Sequence, residues 1–389
     1  MKKLVTLILA FTLTLSLVAC SGTSTTTDTK KDTSAAAEVT TDVAAVTTIA
    51  AMDQDPLIGL SMPTHSDESW IRHCNYTVQY LKEMGYTKFD EQWAEDVVES
   101  QVSQIENMIT KDVKVLIVAA VNGEALGEVL QKAEDAGIKV IAYDRMLMKT
   151  ENVDYYVTFD NYKVGVAEAD YIVEKLGLKD GKGPFNIEFF GGSLDDSNSK
   201  YFYQGAFDVL KPYIDGKQLV VKSNQVDLET VATPGWDAAK AQSRMDNILT
   251  ANYSDGSRVD AVLVPYDGLS IGVIASLKNT GYGTAELPLP IVTGQDAEVA
   301  SIISIINGEQ TQTVWKDFRV QAKACAEVVN AIIKGTEVPV NDTITYDNGV
   351  KIIPTFSNPV TSIDISNYMT LFDAGFYNKA DDVWKGMVK

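Results

Sequence analysis

Histidine is almost missing from this chain: His65 and His73 are the two present. Histidine is the side chain most often used as a general base or zinc ligand, so Ser-His-Asp catalysis and His-rich metal sites are not expected. There is no Gly-x-Ser-x-Gly elbow, no His-Glu-x-x-His and no P-loop. Basic residues are short as well, with 33 Lys and Arg against 53 Asp and Glu and a net charge of −20. Basic clusters are confined to Lys2-Lys3 and Lys30-Lys31. That argues against nucleic acid or an anionic bilayer as a partner. Cysteine occurs three times. Apart from Cys20, Cys74 and Cys325 cannot define a disulfide framework, and both are expected on helices as buried free thiols.

The apolar run at the start, Leu4 to Val18, is too short and too closely followed by polar sequence to be a good spanning helix. Lys2 and Lys3 precede it and Ala19-Cys20 follows it, which is the layout of a secretion signal over residues 1–19. Leu17-Val18-Ala19-Cys20 resembles a bacterial lipobox. That implies cleavage before Cys20, acylation of its thiol and an extracytoplasmic protein held at a membrane. An ordinary secretory signal with an incidental Cys is the alternative. Residues 20–54 are rich in Ser, Thr, Ala and Asp, and are expected to be a disordered tether.

What remains is long enough for two sizeable cores, and the chain's 45% hydrophobic content suits a soluble globular protein. Leu57 to Met62 reads as a buried strand stopped by Pro63, and the helix after it starts near Ser69 with Trp70. Apolar runs then alternate with helical periodicity. Strands are expected at 113–119, 138–143, 155–159, 185–190, 219–226, 259–266, 290–293, 311–315 and 350–353. Helices fill the intervals, and a last one falls near 368–374. Near-continuous apolar strands separated by helices imply parallel sheets covered on both faces. About ten such units exceed one comfortable core, so two similar α/β domains are expected. In such folds ligands bind beyond the carboxyl ends of the strands. Those ends deliver Asp144-Arg145, Asp267, Gln295-Asp296 and Lys316-Asp317.

Ser103 to Ile109, Val140-Ile141-Ala142-Tyr143-Asp144-Arg145, Pro265-Tyr266-Asp267-Gly268 and Val292-Thr293-Gly294-Gln295-Asp296 together resemble the type I periplasmic sugar-binding proteins. The resemblance covers about residues 55–375. It implies two Rossmann-like lobes joined by a three-strand hinge, with crossings near Asp160-Asn161, Val292–Gly294 and Ile353–Pro359. The first lobe would be 55–160 plus 295–345, and the second 161–294 plus 346–389. It also implies a monosaccharide ligand, delivery to an ABC permease, and a monomer without cofactor. A chemoreceptor or sensor kinase is the alternative partner. Repressors of the same fold carry a DNA-binding head where this chain has its signal and tether.

A pyranose offers a ring of hydroxyls and apolar C–H faces. A carboxylate accepts from two neighbouring hydroxyls, an Arg fork donates to two oxygens, and an aromatic ring covers the apolar face. Asp144, Arg145 and Lys316 are therefore expected on the first-lobe side, with Trp70 as stacking platform. Asp196, Asn198, Trp236 and Asp267 are expected to face them, and Asp296 to reach in from the hinge. Ser69 and His65 stand where the resemblance implies Arg and Lys, so sugar preference should differ at this loop. Strand-end aspartates could also form a glycosidase pair, the competing enzymatic reading.

Overall fold

The structure is a computed structural model that describes residues 54–66 and 68–377. The signal, Cys20 and the tether before residue 54 lie outside the described residues. The first sheet takes strands β1 (Ile58–Met62), β2 (Phe89–Trp93), β3 (Val115–Val118), β4 (Lys139–Tyr143) and β5 (Tyr155–Phe159). Helices α1 (Glu68–Glu83), α2 (Val98–Thr110) and α3 (Gly127–Asp135) alternate with them. The chain then enters a second sheet through α4 (Asn161–Leu176), β6 (Phe185–Phe189), α5 (Asn198–Asp215) and β7 (Leu219–Val220). It continues as α6 (Leu228–Val231), α7 (Ala238–Asn252), β8 (Ala261–Leu263), α8 (Asp267–Asn279), β9 (Ile291–Val292), α9 (Val299–Ile306) and β10 (Gln312–Trp315). Helix α10 (Phe318–Lys334), β11 (Thr355–Asn358), β12 (Thr361–Asp364) and α11 (Thr370–Asp373) complete it.

The first sheet has the order β11-β5-β4-β3-β1-β2, and every pairing in it is parallel. Side chains alternate across a strand, so each strand feeds both faces. Ile58, Leu60, Val115, Ile117, Ile141 and Tyr143 enter the core under α1 and α10. Leu116, Val118, Val140 and Ala142 enter the core under α2 and α3. Cys74 and Cys325 are free and buried in the first of these cores. The second sheet has the order β7-β6-β8-β9. A parallel bridge from Gln295 to Val314 carries it on to β10, which pairs antiparallel with β12.

These pairings move two lobe boundaries. Residues 295–315 belong to the second sheet: Thr311 N donates to Val292 O (3.1 Å), Val314 N to Gly294 O (2.8 Å) and Asp296 N to Val314 O (2.8 Å). The second crossing therefore lies at Lys316-Asp317 rather than Val292–Gly294. Helix α10 then returns to the first lobe and packs along α1. The segment after residue 346 also stays in the first lobe, where β11 pairs with β5. The third crossing falls between Asn358 and Thr361, and the second lobe resumes with β12. Sequence patterning overlooks β2, an edge strand of mixed polarity, Phe-Asp-Glu-Gln-Trp, whose outer side needs no apolar run. The strand expected at 350–353 is only a bridge from Ile352 to Asp347.

Candidate functional site

The two sheets direct the carboxyl ends of their strands at one cleft of about 240 Å³. From the first lobe, Trp70 and His73 on α1 and Asp144-Arg145 after β4 line it. Asp144 has φ 60°, a left-handed conformation that Asp tolerates better than bulky residues. The turn is locked: Asp144 N donates to Val157 O (2.9 Å), and its own carbonyl accepts from Tyr156 Oη (2.5 Å) and Thr158 Oγ1 (3.1 Å). Gln321 Nε2 on α10 reaches Asp144 Oδ2 at 3.4 Å. The Arg145 guanidinium lies 5.2 Å from the Trp70 ring centre, within cation–π range, and donates to Ala120 O (3.1 Å).

Asp196, Asn198 and Trp236 come from the second lobe. Asn198 ties the lobes together. Its Nδ2 donates to Asp144 O (3.0 Å), while its Oδ1 accepts from Asn161 Nδ2 (2.8 Å) and Tyr156 Oη (3.1 Å). Asp196 accepts from Asn198 N at 2.9 Å and stands 3.5 Å from Arg145 Nε. Burial pushes the Asp196 carboxyl up, an effect that Arg145 partly offsets. Trp236 is set edge-on to Tyr266, 5.8 Å between ring centres. Its ring lies so close to Gly192 that a Cβ there would come within 2.1 Å of it, so only glycine leaves room.

At the second crossing, Lys316 Nζ is 2.9 Å from Asp296 Oδ1, and Lys316 is buried. Burial pulls its ammonium down, but Asp296, Asp144 and Asp196 outweigh that and the net shift is upward. Removing one partner of such a buried pair costs about 3–5 kcal/mol, because the other charge is left uncompensated. Asp296 and Ala297 both have positive φ, 96° and 53°, so this turn holds its shape against local preference.

Asp267 departs from its expected place. It is fully buried and does not line the cleft. Its carboxylate accepts from Gln310 Nε2 (2.8 Å), Thr313 Oγ1 (3.0 Å) and Glu298 N (2.8 Å). It staples α8 to the segments around α9 and β10, behind the cleft wall. Gly294 makes this possible, since a Cβ there would lie 2.2 Å from Asp267 Oδ1. The other eight expected residues, Trp70, Asp144, Arg145, Asp196, Asn198, Trp236, Asp296 and Lys316, all line the one cleft.

Sequence reasoning missed His73, Tyr266, Gln295 and Phe318 as lining residues. Gln295 and Tyr266 sit inside motifs already singled out, beside the aspartates chosen. Gln295 Nε2 donates to Pro265 O at 3.1 Å, and its buried Oε1 has no protein partner among the described residues. His73 follows Trp70 by three positions, hence lies on the same helix face. Its Nδ1 is 2.9 Å from Tyr143 Oη, and burial lowers its pKa to about 4, so the ring is neutral near pH 7. Ser69 lines the cleft, whereas His65 lies outside it, stacked on Trp93 (4.0 Å) and facing Glu95. Among the described residues no group of three or more His, Cys, Asp or Glu is placed to hold a metal, and no helix is long and apolar enough to cross a membrane.

Two α/β lobes joined by three crossings, with a polar and aromatic cleft between facing strand ends, define a hinged ligand-binding protein. The chain belongs to the periplasmic binding protein domain family, whose profile matches residues 58–337. It is 55% identical over 326 residues to the multiple sugar-binding periplasmic receptor ChvE of Rhizobium radiobacter, covering 84% of this chain and 92% of that one. It is 35% identical over 340 residues to the D-xylose-binding periplasmic protein of Escherichia coli K12, covering 86% and 95%. Among solved structures it is similar to an ABC transporter solute-binding protein from Clostridium phytofermentans with bound β-D-glucose. That match has a TM-score of 0.79 and 44% identity, and covers 85% of this chain and 99% of that one. These relatives are binding proteins, and the chain is a binding protein rather than an enzyme.

Proposed function

We propose that this protein captures an aldose monosaccharide between its lobes outside the cytoplasm and delivers it to an ABC importer. The observation that carries this is the cleft itself. Two indole rings, Trp70 and Trp236, border carboxylates Asp144, Asp196 and Asp296 and the cations Arg145 and Lys316 in about 240 Å³. That volume lies below the usual range for drug-sized ligands and suits one sugar ring. The relatives named for multiple sugars and D-xylose, and the neighbour holding β-D-glucose, support the ligand class. Both cations already face acids, Arg145 against Asp196 and Lys316 against Asp296. A neutral aldose therefore suits the cleft better than a uronic acid. Closure follows from contacts on both lobes: a ligand that binds the closed form better shifts the population toward it.

A thermal-shift screen of glucose, galactose, xylose, arabinose and glucuronate tests this. A ligand at about 100 times its Kd stabilises by about 2.7 kcal/mol. The expected result is a clear shift with at least one neutral aldose, less with glucuronate, and none with Asp144→Asn. Asn tolerates the left-handed turn, so the fold should survive. No shift with any sugar would refute the reading. Lipid anchoring at Cys20 belongs to the same proposal. Native chain that partitions into the detergent phase, and Cys20→Ser chain that does not, would support it.

A further inference from the structure

The cleft continues at one side into a second cavity of about 320 Å³. The two share Ser66, Ser69, Tyr266, Asp296 and Phe318. Helix α1 lines both. Successive residues on a helix point about 100° apart, so His73 faces the inner cleft while Arg72, beside it, faces the outer one. The outer cavity adds Glu298, Val299 and Tyr377 from the second lobe. Its groups are held in place. The Arg72 guanidinium lies 5.5 Å from the Tyr377 ring centre, Tyr377 Oη donates to Ala297 O (2.6 Å), and Tyr266 Oη donates to Glu298 Oε1 (2.8 Å). Two tyrosine rings, a guanidinium, two carboxylates and hydroxyls again match what a hydroxylated ring presents. Arg72 balances Glu298 in charge, and Asp296 already faces Lys316 at 2.9 Å, which together favour a neutral occupant.

We propose that this cavity is a second subsite, which takes the neighbouring ring of a disaccharide or glycoside whose terminal unit occupies the inner cleft. The proposal rests on the sugar reading of the inner cleft and widens the ligand class from free monosaccharides to short glycosides. Tyr266 borders both cavities and would lie between the two rings, and Ser69 would face the linkage.

Isothermal titration of the full chain with glucose, xylose, cellobiose, maltose, xylobiose and 4-nitrophenyl β-D-glucoside tests it. At least one two-unit ligand should bind within a hundredfold of its monosaccharide. Arg72→Ala should weaken that ligand more than fivefold and change the monosaccharide less than twofold. Val299→Trp, which fills the outer cavity without touching the inner one, should do the same, so the test does not hang on one variant folding. Tight monosaccharide binding with every two-unit ligand beyond a hundredfold would overturn this proposal alone. Variants that weaken both ligand kinds equally, or neither, would overturn it too. Loss of all binding by the wild-type chain would sink it together with the sugar reading.

Discussion

The two walls of the cleft are held in place by different means. On the first lobe, β4 and β5 have five residues each, and Asp144-Arg145 follows directly from one of them. On the second, β6 also has five residues, but β8 and β9 have three and two, and much of the wall is made of loops and helix starts. There, buried side-chain bonds do what the longer ladders do opposite. The staple at Asp267 is the case in point. The first wall is thus positioned by backbone pairing together with side-chain bonds onto Asp144, and the second rests more on the polar network beneath it. Partly satisfied networks of that kind are costly, so the second wall should be the more fragile to single substitutions.

The largest expected effect breaks the staple. Asp267→Ala leaves Gln310, Thr313 and the Glu298 amide short of a buried acceptor, at about 1–3 kcal/mol for each unsatisfied group. Urea unfolding should show a loss of several kcal/mol, while the protein that stays folded keeps its ligand affinity. Affinity lost without any stability change would return Asp267 to the cleft wall. A second test probes the first wall through pH. The His73 ring titrates near 6.5 when unfolded and near 4 when folded. Between those values the unfolded state binds the extra proton, so acid destabilises the fold, by on the order of 3 kcal/mol at about 1.4 kcal/mol per pKa unit. That destabilisation is absent above about pH 6.5 and fully developed below about 4. Comparing unfolding midpoints at pH 7 and 4.5, His73→Gln should lose less stability on acidification than wild type. Parallel losses would contradict a neutral buried ring.

The smallest effect sharpens the contact between walls. Asn198→Ala removes three hydrogen bonds at the lobe junction, each worth about 0.5–1.5 kcal/mol net. Ligand affinity should fall roughly tenfold, and small-angle scattering should show a more open ligand-free form. Unchanged scattering and affinity would mean that Asn198 does not govern closure.

The same contrast explains what could be read from the sequence. Asp144 and Arg145 are legible because they follow an apolar run that becomes a ladder-bonded strand, and Lys316 because it follows a β-branched and aromatic stretch that becomes β10. Trp70 was legible as the aromatic opening the first helix. Asp267 looked identical to them, an acid after an apolar run. Its partners Gln310 and Thr313 lie more than forty positions away, and nothing local announces them. The second crossing was misplaced for a related reason. Residues 290–293 and 311–315 both read as short strands, and patterning does not say which sheet each one joins. Gln295 was passed over for Asp296 because charge is the stronger cue in a string of letters. In the fold Gln295 also lines the cleft, with a buried oxygen that has no protein partner among the described residues.

The three crossings also bear on how the chain is made. The core under α1 needs Ala324, Cys325, Val328 and Ile332 from α10 to cover Ile58, Leu60 and Ile117. All of the second sheet up to β10 is synthesised in between. At 5–20 residues per second, that apolar face waits on the order of ten seconds or more for its cover. A nascent first lobe therefore cannot finish before most of the second exists. The two halves of the trap mature together, and neither can be harvested as an uninterrupted fragment.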